Sequence, residues 1–108
     1  QYASEYFDVD TPSPYMLLVA PVKKPEKIPA VTHVDGTGRL QTVSKDINTL
    51  FYDLINEFYK ITGVPVVVNT SMNVRGEPIV NTLEQAYNMI IKTDMDYIVL
   101  GNYIVKKQ

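Results

Sequence analysis

Apolar and polar positions fall in blocks along the chain, and each block predicts an element. Over residues 44–62, Ile47, Leu50, Phe51, Leu54, Ile55, Phe58 and Ile61 recur at three- and four-residue spacing, while Thr49, Asp53, Asn56, Glu57 and Lys60 fill the other side. This is the period of an amphipathic helix. Ser44 or Asp46 can cap its start, Gly63 suits its C-terminal cap, and Pro65 bars continuation. A shorter stripe of Leu83, Ala86, Tyr87 and Ile90 follows Thr82, with Gln85 placed to complete a capping box. Two continuous apolar runs read as strands. Residues 15–21, bounded by prolines, are expected to be buried on both faces. Residues 64–68, β-branched around Pro65, are expected to form a central strand. Residues 30–35 and 40–43 flank Gly36-Thr37-Gly38 as a hairpin, and residues 96–107 close the chain as two short strands around Gly101-Asn102.

The remainder is punctuation. Residues 1–14 read as an arm or loop whose Tyr2, Tyr6 and Phe7 pack onto a surface elsewhere. Residues 23–29 are a lysine- and proline-rich connector, and residues 69–81 are a turn-rich loop. Strands and helices alternate, so the expected architecture is α/β: an open, mixed, twisted sheet with two main helices packed on it, in one domain spanning residues 1–108.

Composition narrows the function. At 45% apolar and 20% charged the chain is built to fold around a core. A formal charge of -2 gives no global field to attract nucleic acid, so any anion site is local. There is no cysteine, which removes disulfides, thiolate nucleophiles and zinc–thiolate sites and fits a reducing compartment. The apolar runs are too short to span a bilayer, and no secretory signal heads the chain. A cytoplasmic protein is expected, with neither membrane nor nucleic acid as partner. The start at Gln1, without an initiator Met, suggests a piece of a longer polypeptide.

Two segments could carry chemistry. Residues 69–78 lie just past the run expected to be the most buried strand, at the edge where open α/β sheets bind ligands. Thr70 and Ser71 offer hydroxyls, Asn69 and Asn73 offer amides, and Arg75 offers a planar fork for phosphate or carboxylate. The plainer reading is a polar surface loop with Arg75 paired to Glu77 or Glu84. In residues 32–41, alternation makes His33, Asp35, Arg39 and Gln41 accessible around a glycine turn. Arg39 can clamp a phosphate while His33 donates a hydrogen bond or relays a proton. The plainer reading here is a hairpin tip. A lone His without a second His or Cys beside it is a poor metal ligand, so no metal site is assigned. No Ser-His-Asp triad or acid–base carboxylate pair can be argued.

Taken together, residues 29–43 (PAVTHVDGTGRLQTV), 62–66 (TGVPV), 69–80 (NTSMNVRGEPIV) and 93–101 (TDMDYIVLG) resemble the C-terminal region of carbamoyltransferases of the nodulation-factor and antibiotic-tailoring type. The stretch Ser13-Pro14-Tyr15-Met16 resembles that region's early segment. The resemblance covers nearly the whole chain and overturns the plainer reading of the Asn69 loop. It implies a two-domain enzyme. An N-terminal actin-like, metal-containing half transfers a carbamoyl group to a hydroxyl. A C-terminal YrdC-like half makes carbamoyl-adenylate from carbamoyl phosphate and ATP, with Mg2+ accompanying the nucleotide. On this comparison Ser71-Met72-Asn73 is similar to a serine-x-asparagine nucleotide motif and Arg39 is expected to contact phosphate; the mechanism then expects Arg75 to hold phosphoryl oxygens beside Arg39, with Asn69 joining Ser71 and Asn73 in binding the nucleotide. His33 is expected to orient the carbamoyl group. The sequence departs from the family at Met72, where phenylalanine is usual, and at Leu83, where proline is usual. Both are tolerable packing changes. The family's basic segment and its metal-binding histidines are not in this chain, which is expected to be the later half of the C-terminal domain, partnered by the actin-like domain of the same polypeptide. A homodimer is left open. The contrasting reading is a docking or structural lobe that does no chemistry.

Overall fold

Asn48 turns its amide oxygen back on the chain and accepts the Phe51 N–H at 3.1 Å, and a helix begins one residue later. The computed structural model describes residues 2–107. The chain divides into two units, Gln1–Val68 and Asn69–Gln108, each with its own hydrophobic cluster.

The first unit runs α1 (Ala3–Tyr6), β1 (Leu18–Pro21), a 3-10 turn (Pro29–Val31), β2 (Thr37–Leu40) and α2 (Thr49–Thr62). β1 and β2 are antiparallel, with Leu18 opposite Leu40 and Ala20 opposite Gly38. The hairpin expected around Gly36–Gly38 is therefore not the ladder that forms. Pro29 opens a 3-10 turn, and the Gly36 N–H bonds the His33 carbonyl at 3.0 Å, so residues 30–35 curl instead of extending. β2 pairs instead with residues far back in the chain.

Gly38 is buried against close neighbours: a Cβ there would lie 3.0 Å from the Phe7 ring and 3.0 Å from the Val31 carbonyl oxygen. Tyr6 and Phe7 join Ala20, Ile28 and Leu40 in the core of this unit. The aromatic segment thus folds onto its own unit, where the sequence suggested a surface elsewhere. Ser13 ties in the next stretch: its N–H bonds Thr42 Oγ1 at 2.9 Å and its carbonyl accepts the Thr42 N–H at 2.8 Å.

Three further expectations are corrected. The ladder at residues 15–21 is confined to β1, where Ala20 alone is buried, so this strand is not covered on both faces. The cap of α2 is Asn48, because residues 44–48 form a tight turn in which both Ile47 and Asn48 donate to the Ser44 carbonyl. Residues 64–68 join no ladder among the described residues; Pro65 lacks a donor, and Val64 and Val66 pack singly against the core. Gly63 does cap α2 in the left-handed region at φ 72°. α2 buries no residue fully: Phe51, Tyr52, Ile55, Asn56 and Tyr59 are half-buried, while Leu50, Leu54, Phe58 and Ile61 form an exposed apolar stripe.

The second unit holds α3 (Leu83–Lys92), β3 (Tyr97–Leu100) and β4 (Tyr103–Lys106). Thr82 and Gln85 make the expected capping box, each side chain accepting from the other's backbone N–H. β3 and β4 form a hairpin with Leu100 opposite Tyr103, its turn opened by Gly101 at φ 60°. Ala86, Ile90 and Ile98 are the cluster's buried centre, joined by Met72 and Val80 from the preceding loop. Leu83 and Tyr87, expected in the helix's buried stripe, are exposed, and Met89 is buried in that helix as well. Mixed α/β architecture holds, built as two antiparallel strand pairs.

Candidate functional site

Each unit presents one polar turn segment. In the first, residues 33–37 close on themselves: the His33 N–H donates to the Thr37 carbonyl at 2.7 Å. Gly36 takes φ 81°, a conformation that costs a residue with a Cβ. Three side chains line up in this turn. The Thr37 hydroxyl donates to Asp35 Oδ1 at 2.7 Å, the Thr37 N–H reaches the same oxygen at 3.0 Å, and His33 Nδ1 lies 3.0 Å from Thr37 Oγ1. The Thr37 hydroxyl, then its N–H, hold the Asp35 carboxyl below its ordinary range, with the nearby His33 ring adding to the effect. Arg39 follows on β2, exposed and opposite Val19.

In the second unit, Ser71 donates to Asn73 Oδ1 at 2.5 Å, and Asn73 Nδ2 donates to the Glu77 carbonyl at 3.1 Å. Asn73 thus braces its own loop, which also closes through the Val80 N–H on the Met72 carbonyl at 2.8 Å. Ser71 keeps lone pairs on its oxygen but directs its proton inward. The Glu77 N–H donates to the Val74 carbonyl at 2.9 Å, and Gly76 takes φ 84°, so Arg75 stands at the second position of a tight turn, exposed.

Among the described residues the ion pairs join Lys23 to Asp8, Lys24 to Glu5 and Lys60 to Glu57. The pairing of Arg75 with Glu77 or Glu84 is not among them, and Arg39 is in no ion pair either. Both guanidinium groups lie on exposed residues without an acidic partner among the described residues. Asn69 is exposed at the start of the second segment.

A cavity of about 170 Å³ opens beside this loop, lined by Glu77, Val80, Asn88 and Lys92 among others. It is smaller than the ~300–1,000 Å³ usual for ligand sites, and Arg75, Ser71 and Asn73 do not line it. Among the described residues no group of three His, Asp or Glu side chains could hold a metal ion. Mg2+ arriving with a nucleotide would be held mainly by phosphate oxygens and water. No helix is long and apolar enough to cross a membrane, among the described residues.

Sequence reasoning singled out His33, Arg39, Asn69, Ser71, Asn73 and Arg75, and it left Asp35 and Thr37 without a role. The signal was an Asp two residues before a Thr across a glycine, the spacing at which an Asp side chain closes on the backbone.

These features define a small mixed α/β chain that carries two exposed arginines, one on a strand beside a polar turn and one within a polar turn. Residues 1–107 match the family model described as Carbamoyltransferase C-terminus, and the chain belongs to that family. It is 44% identical to nodulation protein NolNO of Sinorhizobium fredii, the alignment covering 98% of this chain and 16% of that protein. It is 41% identical to nodulation protein NolO of Bradyrhizobium diazoefficiens, over 98% of this chain and 20% of that protein. An uncharacterised Synechocystis protein is 43% identical over 95% of this chain and 20% of its own length. The chain therefore spans about a fifth or less of the curated relatives it matches.

Proposed function

We propose that this chain contributes to an O-carbamoyltransferase by holding carbamoyl phosphate and ATP for the formation of carbamoyl-adenylate, ahead of transfer to a hydroxyl acceptor. The family match over residues 1–107 carries this reading. The two unpaired, exposed arginines support it, since a planar fork suits phosphoryl oxygens and a surface ion pair would have used it. For the adenylate to form, water first takes the phosphate from carbamoyl phosphate, leaving carbamate and inorganic phosphate; a carbamate oxygen then attacks the α-phosphorus of ATP, and the bond to pyrophosphate breaks as pyrophosphate departs. The protein's part is alignment and neutralisation of charge. Arg39 and Arg75 take phosphoryl oxygens, Ser71 offers its oxygen to a donor on the nucleotide, and Asn69 contributes its amide. Asn73 acts by holding Ser71 and the loop in place. His33 orients the carbamoyl group.

A second reading has a specific observation behind it. The exposed stripe of Leu50, Leu54, Phe58 and Ile61 on α2 is what a docking or structural lobe would show. Calorimetric titration of the chain with carbamoyl phosphate and with ATP, each with Mg2+, separates the two. Weak saturable binding that Arg39→Ala or Arg75→Ala abolishes supports the ligand reading. No heat at millimolar ligand leaves the docking lobe.

A further inference from the structure

The row Asp35–Thr37–His33 has a direction. Thr37 Oγ1 owns one proton and donates it to Asp35 Oδ1 at 2.7 Å; an ionised carboxylate has none to return. Toward His33 Nδ1, 3.0 Å away, Thr37 Oγ1 can then only accept. In the neutral ring the imidazole proton therefore sits on Nδ1, and Nε2 keeps its lone pair. In a neutral histidine the hydrogen bond made by one nitrogen decides the state of the other. Backbone contacts hold the row in place: the Thr37 N–H anchors Asp35, and the His33 N–H is bonded to the Thr37 carbonyl. His33 itself is exposed, so Nε2 is open to a ligand.

We propose that Asp35, acting through Thr37, is a positioning residue that makes His33 present Nε2 as a hydrogen-bond acceptor, and that this acceptor reads the N–H donors of a carbamoyl group. The inference rests on the carbamoyl-phosphate reading above. A carbamoyl phosphate carries an NH2 group where acetyl phosphate carries a methyl, and the two share the same phosphate. Arg39, on β2 beyond the turn, recognises what the two have in common. Nε2 recognises what differs. A neutral hydrogen bond at an exposed site gives about a two- to tenfold preference for the carbamoyl compound.

The chain contains one histidine, so isotope-labelled imidazole nitrogens give a single, unambiguous pair of nuclear magnetic resonance signals. In the neutral ring the proton is expected on Nδ1. The Nε2 signal should move with carbamoyl phosphate and stay with acetyl phosphate at equal millimolar concentration. Thr37→Val should transfer the proton to Nε2 and erase the preference. Thr37→Ser, which keeps the hydroxyl, should restore both. Amide signals of β1 and β2 verify that each variant is folded. A ring protonated on Nε2 in the unaltered chain overturns the relay. Equal response of Nε2 to both phosphates, while the Arg39 guanidinium signal responds, overturns the carbamoyl assignment alone. Silence of both Arg39 and His33 toward carbamoyl phosphate overturns the ligand reading of this segment, and the carbamoyl assignment with it; the tautomer still decides the relay.

Discussion

The turn leading into β2 and the loop before α3 are both polar and each has an exposed arginine, Arg39 on β2 just past the first and Arg75 within the second, yet they are built in opposite ways. The first stands on packing: Gly38, one residue past Thr37, lies under the Phe7 ring and the Val31 carbonyl, and Leu40 closes the core. The second stands on polar bracing: Ser71 on Asn73, Asn73 on the Glu77 carbonyl, with Met72 and Val80 as its apolar anchors. A packed turn fixes its side chains before any ligand arrives. A braced loop spends side-chain donors and acceptors on itself, so fewer are left for a ligand. Identical residue types on a sequence thus differ in how much of their hydrogen-bonding capacity is free.

The largest effect that would break this comparison is at Arg75. If the braced loop exists to present that guanidinium, Arg75→Ala should weaken carbamoyl phosphate or ATP binding by about 1.5–3 kcal/mol, the range for a hydrogen bond to a charged group. The melting temperature should hardly move, because Arg75 is exposed and outside the ion pairs described. Calorimetry paired with thermal melts reads both quantities. Unchanged binding would reduce the loop to a surface connection.

The next effect sharpens the contrast in construction. Gly38→Ala places a methyl 3.0 Å from a ring carbon and 3.0 Å from a backbone oxygen, and should destabilise the first unit by about 1–3 kcal/mol in urea unfolding. Gly76→Ala meets nothing within 4 Å and is opposed only by its φ of 84°, so its cost should be nearer ~1 kcal/mol. Equal costs would mean that both segments rest on backbone conformation and that packing does not distinguish them.

The smallest effect concerns acid. The folded turn lowers the Asp35 pKa from 3.8, the value it would have unfolded. A group depressed by folding contributes stability that is fully present above its unfolded pKa and is lost as pH falls through its folded one. The turn should therefore keep its protection from amide exchange above about pH 4 and lose part of it below. Asp35→Asn, which cannot titrate, should flatten that acid limb. A limb that persists in the variant would assign it to another carboxylate.

What the sequence made legible was what short range decides. The α3 capping box, the Gly63 cap and the hairpin turn at Gly101 each depend on residues within a few positions, and each is where the pattern placed it. The partner of β2 was not legible, because Leu18 opposite Leu40 is a contact between distant segments that no period encodes. Residues 64–68 show a limit of propensity: β-branched residues favour a strand only where a neighbour offers a ladder. The same holds at the candidate site. Residue types at Arg39, Ser71, Asn73 and Arg75 could be read from the motif. That Asn73 is occupied by its own loop, and that Asp35, Thr37 and His33 stand in one hydrogen-bonded row, are facts of distance.

The contact between Tyr2 and Tyr59 has a practical use. Their ring centroids are 4.9 Å apart at an interplanar angle of 47°. The chain has no tryptophan, so its near-ultraviolet dichroism comes mainly from tyrosine, with no indole band to mask it. A pair this close couples its transitions, and Tyr59, followed by the ring's slight burial, also raises the pKa of the Tyr2 phenol. The attachment of the N-terminal segment to α2 therefore carries its own optical label, legible in an alkaline spectrophotometric titration without any introduced dye.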